Sequence, residues 1–266
     1  MVARAHLALG DMRSALAVIG NDPSPAMSAM RVYAPFSAAP VGSAPRVAAL
    51  LLADALMVDA EAALIGAVGN PNAHTAPIVA ALCGIMYLSE GAFERALRAV
   101  KSGASLELLA IAVQVYLRIE RPDLAEAALV TLAERDDESS LYQLSAAHTY
   151  CALGTDKAKE AVLIFRDVLE RYGEGAGPAA QNGLAVALIA AKRLPEAEAQ
   201  LAEAAAKDPL FPETLANTAA LAALMGKMDV ATKALEKLKK VAPNHRVFQQ
   251  RAAAEASFAR VAATFA

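Results

Sequence analysis

A chain of 266 residues that is 56% hydrophobic and only 20% charged carries ample apolar material for a core, yet aromatics make up 5% and tryptophan is absent. Its net charge of −3 excludes the basic footprint of a nucleic-acid binder and the polybasic stripe of a membrane-surface protein. Alanine is the largest contributor to the apolar count, so close-packed helices with little bulky filler are expected.

Taken in chain order, Ala3 to Leu9, Gly10-Asp11 and Ser14 to Ile19 read as the end of one helix, a turn and a second helix, so the chain is expected to begin inside a repeat. Asp11 and Arg13 interrupt any apolar run from Met1, and no secretory signal is visible. Residues 31–46 hold Pro35, Pro40, Pro45 and Gly42, which predicts an irregular proline-rich loop. The longest stretch free of Asp, Glu, Lys and Arg, from Ala62 to Ser89, is broken by Asn70, Pro71, Asn72, His74 and Pro77, and so fails as a membrane helix. Asn70 to Pro77 is expected to be a short loop.

From Pro77 the pattern becomes regular. Gly84 and Tyr87 lie on a first helix, Gly91 makes a turn and Ala96 sits on a second helix. The next pair has Val113 and Tyr116, a turn at Arg121-Pro122, then Ala125 and Leu129. A further pair has Ala147, Tyr150, Gly154, Ala161 and Phe165, with about two extra residues in its turn. Two sets then match at six positions, each 34 residues apart. Pro178, Leu184, Ala185, Ala197, Leu201 and Pro209 are followed by Pro212, Thr218, Ala219, Ala231, Leu235 and Pro243. Thirty-four residues is the tetratricopeptide period, in which small side chains let two helices touch and proline ends the second. The fold class expected is all-α: one tetratricopeptide-like α-solenoid over 1–266, with its best-defined repeats at 77–243. Residues 244–266 follow as a C-terminal capping helix, N-capped by Asn244, with Phe258, Val261 and Phe265 on one stripe.

Local chemistry is sparse. Gly173-Glu174-Gly175-Ala176-Gly177 lacks the Gly-Lys-Ser/Thr of a phosphate loop and reads as an inter-repeat turn. The four histidines form no metal or catalytic pattern. Cys83 and Cys151 have no CxxC spacing and read as buried, reduced thiols. No catalytic residue, metal or cofactor is expected. What remains is the face of the first helix in each pair, which lines the concave side. Its candidate partner-binding residues are Ile85 and Leu88, Gln114 and Leu117, His148 and Cys151, and Asn182, Val186 and Ile189. That face is apolar and poor in lysine, which suits a permanent partner better than capture of a peptide carboxylate. A soluble adaptor that binds short peptides transiently is the alternative.

Several segments carry a resemblance: Ser105 through Leu129 (SLELLAIAVQVYLRIERPDLAEAAL), Leu141-Tyr142-Gln143-Leu144 after the acidic turn, Glu160 to Arg171, Asp208 to Thr214 (DPLFPET), and the tail from Leu238 to Phe265. From about Ile78 onward the chain resembles the coatomer epsilon subunit family. The resemblance implies a non-catalytic, peripheral component of the COPI vesicle coat in Golgi-to-ER and intra-Golgi transport. It implies a solenoid closed around the C-terminal domain of the coatomer alpha subunit, with other coatomer subunits as indirect partners. It also implies a cytoplasmic protein peripheral on Golgi membranes and COPI vesicles, with neither nucleic acid bound nor membrane inserted. The prolines at 35, 40 and 45 depart from the family, which is helical there.

Overall fold

The structure, a computed structural model, describes residues 2–40, 43–65, 74–103 and 105–265, and among these forms fifteen α-helices and no strand. The chain divides into two compact units, Met1–Ser145 and Ala146–Ala266. The first holds α1 (Val2–Ala8), α2 (Met12–Ile19), α3 (Pro25–Ala38), α4 (Ala44–Ile65), α5 (Ala76–Ser89), α6 (Phe93–Val100), α7 (Leu106–Arg118) and α8 (Pro122–Asp136). The boundary falls inside α9 (Ser140–Leu153). The second unit continues with α10 (Thr155–Tyr172), α11 (Gly177–Ala190), α12 (Leu194–Lys207), α13 (Pro212–Leu224), α14 (Met228–Val241) and α15 (Arg246–Ala262). This is an all-helical, tetratricopeptide-like solenoid fold.

One backbone device builds the helix pairs. The second residue past the end of α1, α5, α7, α11 and α13 takes a positive φ: Gly10 at 75°, Gly91 at 74°, Glu120 at 59°, Lys192 at 62° and Gly226 at 74°. The following amide then donates back to a carbonyl five residues earlier. The pairs are Asp11 to His6, Ala92 to Tyr87, Arg121 to Tyr116, Arg193 to Leu188 and Lys227 to Ala222, all at 2.8–2.9 Å. This is the Schellman closure of a helix end, and it turns the chain tightly into its partner helix. Lys192 and Gly226 hold equivalent slots 34 residues apart. Proline stands at the start of α3, α5, α8, α11, α12 and α13, where its missing N–H would have had no partner.

Small residues set the packing. Ala96, Ala125, Ala161, Ala185 and Ala197 are all 0% exposed. The closest approach is at Gly183 of α11, where an added Cβ would lie 2.4 Å from Cε1 of Phe165 on α10. Phe165 is itself 2% exposed, so the ring occupies space that only glycine leaves open.

Three expectations are corrected. The described residues of 31–46 are mostly helical rather than an irregular loop: α3 runs through Pro35 to Ala38 and α4 begins at Ala44. Only about one turn of α3 follows Pro35, so the amide that proline lacks is lost near the helix end. Arg46 organises this end. Its Nε donates to the carbonyls of Phe36 (3.1 Å) and Ala39 (2.9 Å), its Nη1 donates to Glu90, and its guanidinium lies 4.4 Å from the Phe36 ring centroid. The extra residues between α9 and α10 do not widen a turn; Gly154 alone separates the two helices, and the extra length is absorbed into α10. The C-terminal helix exists, but it does not cap: from Gln249 to Phe265 every residue is exposed, and His245 rather than Asn244 is its N-cap. Gly42 and residues 70–73 of the two expected loops lie outside the described residues.

Candidate partner-binding surface

In the first unit, α5 and α7 pack side by side and bring two pairs of expected residues onto neighbouring first helices. Ile85 is 37% exposed, and Leu88, Gln114 and Leu117 are half-buried. Ala81 and Ala110, on the same helical rows, are 5% and 8% exposed, because side chains this short are covered by their neighbours. The row of first helices bends enough that Arg4 of α1 forms an ion pair with Glu107 of α7. Spacing alone gave no sign of this contact, since 103 residues separate the partners.

In the second unit, His148 is exposed and stands edge-on to Phe165, with ring centroids 5.7 Å apart. Cys151 is half-buried, and burial pushes its thiol up to about 11. Val186 is 38% exposed and Ile189 half-buried, so α11 presents an apolar edge. Asn182 faces inward at 5% exposure. Its Nδ2 donates to the Pro178 carbonyl (2.8 Å) and to Thr214 Oγ1 (2.7 Å), and its Oδ1 accepts from Asn217 Nδ2 (2.9 Å). The side chain is therefore spent joining α11 to α13, while Asn217 stays half-buried beside it. Neighbouring Gln181, also 5% exposed, donates to Glu203 Oε2 at 3.3 Å.

Other polar clusters serve packing. Tyr87 donates from its hydroxyl to Asp54 (2.7 Å), and Arg95 donates to the same carboxylate (3.1 Å). Burial, reinforced by that hydrogen bond to the carboxylate, pushes the Tyr87 phenol well up. Cys83 donates to the Ala53 carbonyl at 3.7 Å, and burial first, then the Asp54 charge, pushes its thiol up to about 12. Arg98 binds Glu61 through two hydrogen bonds of 2.7 and 2.8 Å. These contacts fasten α4 to α5 and α6. Among the described residues no group of three or more His, Cys, Asp or Glu side chains is placed to hold a metal ion, and no helix is long and apolar enough to cross a membrane.

Large exposed apolar side chains add Leu224, which spacing missed, and leave open to solvent the C-terminal stripe that spacing had taken for a cap. Leu224 of α13 is 63% exposed, and Phe258, Val261 and Phe265 are 77%, 54% and 86% exposed. Leu224 and Phe258 follow Ala190 at successive 34-residue steps, so that register could have found Leu224.

A family model described as "Coatomer epsilon subunit" matches residues 1–266. The chain is 31% identical over 268 residues to coatomer subunit epsilon-1 of Arabidopsis thaliana, covering 100% of this chain and 85% of that protein. It is 30% identical over 263 residues to coatomer subunit epsilon-1 of Oryza sativa subsp. japonica, covering 98% and 84%. Coatomer subunit epsilon of Dictyostelium discoideum is 32% identical over 176 residues, covering 65% of this chain and 57% of that one. Among solved structures, a tetratricopeptide repeat protein from Parabacteroides merdae superposes with a TM-score of 0.61 at 13% identity, covering 94% of each chain. That likeness concerns the fold alone.

Proposed function

Because the chain belongs to the coatomer epsilon subunit family, we propose that it is a non-catalytic structural component of the COPI coat that holds the C-terminal domain of the coatomer alpha subunit. It acts in Golgi-to-ER and intra-Golgi vesicle transport. It resides in the cytoplasm and is peripheral on Golgi membranes through its partners, the other coatomer subunits being bound indirectly.

The observation that carries the partner reading is that a first helix in each unit leaves an apolar side chain exposed. Ile85 and Val186 remain more than a third exposed, while Gly84 and Met86, and Ala185 and Ala187, on either side of them are buried. Burying such side chains against a partner yields about 25 cal/mol per Å². No row of Lys and Arg accompanies them to clamp a peptide carboxylate, so the surface suits a lasting apolar partner.

The test is co-purification of the chain with the C-terminal domain of the alpha subunit. Val186→Asp should abolish it while the helical circular-dichroism signal survives. Val186 suits this test better than Ile189, which is half-buried and would confound folding with binding. Retained co-purification would overturn the groove assignment. Weak, salt-sensitive binding of short peptides by a free monomer would favour the adaptor reading instead.

A further inference from the structure

The last helix presents an apolar seam to solvent. On the helix, Ala254, Phe258 and Val261 recur at steps of four and three residues, with Val247 seven before Ala254; Phe265 follows three residues beyond the helix end. That is the 3.5-residue repeat by which one helix packs along another. Phe258 and Phe265 are 77% and 86% exposed, and nothing from Gln249 to Phe265 is buried. By contrast, α14 buries Ala231, Ala234 and Leu238 within its unit. A helix of this length gains most of its stability from a packed face, and α15 has none of its own.

The chemistry of the missing occupant is legible. A single seam flanked by Ala252, Ala256, Ala259 and Ala263 admits a closely approaching helix, since alanine keeps the backbones near. The helix carries Arg246, Arg251 and Arg260 against Glu255 alone. Arg251 pairs with Glu255 at 2.8 Å, which leaves a surplus of two positive charges. A second copy of the same helix would bring like charges together, whereas an acidic helix would neutralise them. A lipid surface is the weaker fit, because a membrane-lying helix carries bulky apolar residues opposite a strongly charged face, and here alanine dominates both flanks.

We propose that α15 is a docking site for an acidic amphipathic helix of another protein, seated on Ala254, Phe258 and Val261, with Phe265 just past the helix end completing the apolar surface. Such docking is separate from occupancy of the first-helix edge that carries Val186.

The test uses the full chain and two designed 21-residue helical peptides with identical leucine seams, one flanked by Glu and one by Lys, read by fluorescence anisotropy. The Glu peptide should bind at least tenfold more tightly than the Lys peptide. Phe258→Ser with Phe265→Ser should weaken it at least tenfold, while Phe258→Leu with Phe265→Leu retains it. Arg246→Glu with Arg260→Glu should invert the preference. Val186→Asp should leave peptide binding unchanged, which separates this site from the groove. Equal binding of both peptides, or retention by the double Ser variant, would overturn the proposal. So would self-association of the wild type, or its adsorption to phosphatidylcholine–phosphatidylserine vesicles, if the double Ser variant abolished either.

Discussion

Residues 178–243 and the pair α3 and α4 both form packed helices, but different interactions order them. In the first stretch the same contacts return every 34 residues, with alanines at the helix contact and a Schellman closure after each first helix. In the second, the breaker inside a helix, Pro35, falls within the last turn of α3, and one side chain links three segments. Arg46 reaches the carbonyls ending α3 and the Glu90 carboxylate 44 residues away. Local packing repeated along a chain leaves a periodic trace, whereas a single long-range polar contact leaves none.

That contrast can be broken most forcefully at Arg46, whose side chain is 11% exposed, with Glu90 at 14%. Arg46→Ala strands a buried carboxylate and two carbonyls, and should cost about 3–5 kcal/mol in urea unfolding. A loss below about 1 kcal/mol would mean that the prolines order this segment by themselves. Gly183→Ala tests the periodic half next. The new methyl collides with Phe165, and overpacking of this kind should cost about 1–3 kcal/mol, measured as a lowered melting temperature. Asn182→Ala leaves Thr214 and Asn217 without a shared partner, and should cost about 1–2 kcal/mol. The smallest effect runs the other way. Lys192→Gly relieves a φ of 62° and should stabilise by up to about 1 kcal/mol, whereas the same substitution in a helix interior would destabilise. Native Cys83 and Cys151, with thiols pushed up to about 12 and 11, should react with a disulfide reagent at pH 8 far more slowly than after unfolding.

The fold was legible because its turns and contacts repeat. Gly91, Ala185 and Ala219, and Pro178 and Pro212 announce helix pairs without any tertiary knowledge. The surface was legible only in part. Helical spacing placed Ile85, Leu88, Gln114 and Leu117 on two rows, but spacing does not report side-chain direction across a helix boundary, so Asn182 turned inward to Thr214. The stripe on α15 was visible as a stripe, yet periodicity does not distinguish a face covered by the chain's own repeats from one left open to another molecule. Arg4 and Glu107 illustrate the same limit at longer range, since curvature brings them together and no motif encodes curvature.

The most direct test of the partner-binding surface is isothermal titration of the purified chain with the C-terminal domain of the alpha subunit, comparing wild type with Ile85→Asp and Val186→Asp. Both positions are exposed enough to accept a charge without unfolding, at 37% and 38%. Each substitution should weaken binding at least tenfold, about 1.4 kcal/mol, with unchanged circular dichroism. Undiminished affinity in both variants would contradict the assignment of these first-helix side chains as contacts of the partner.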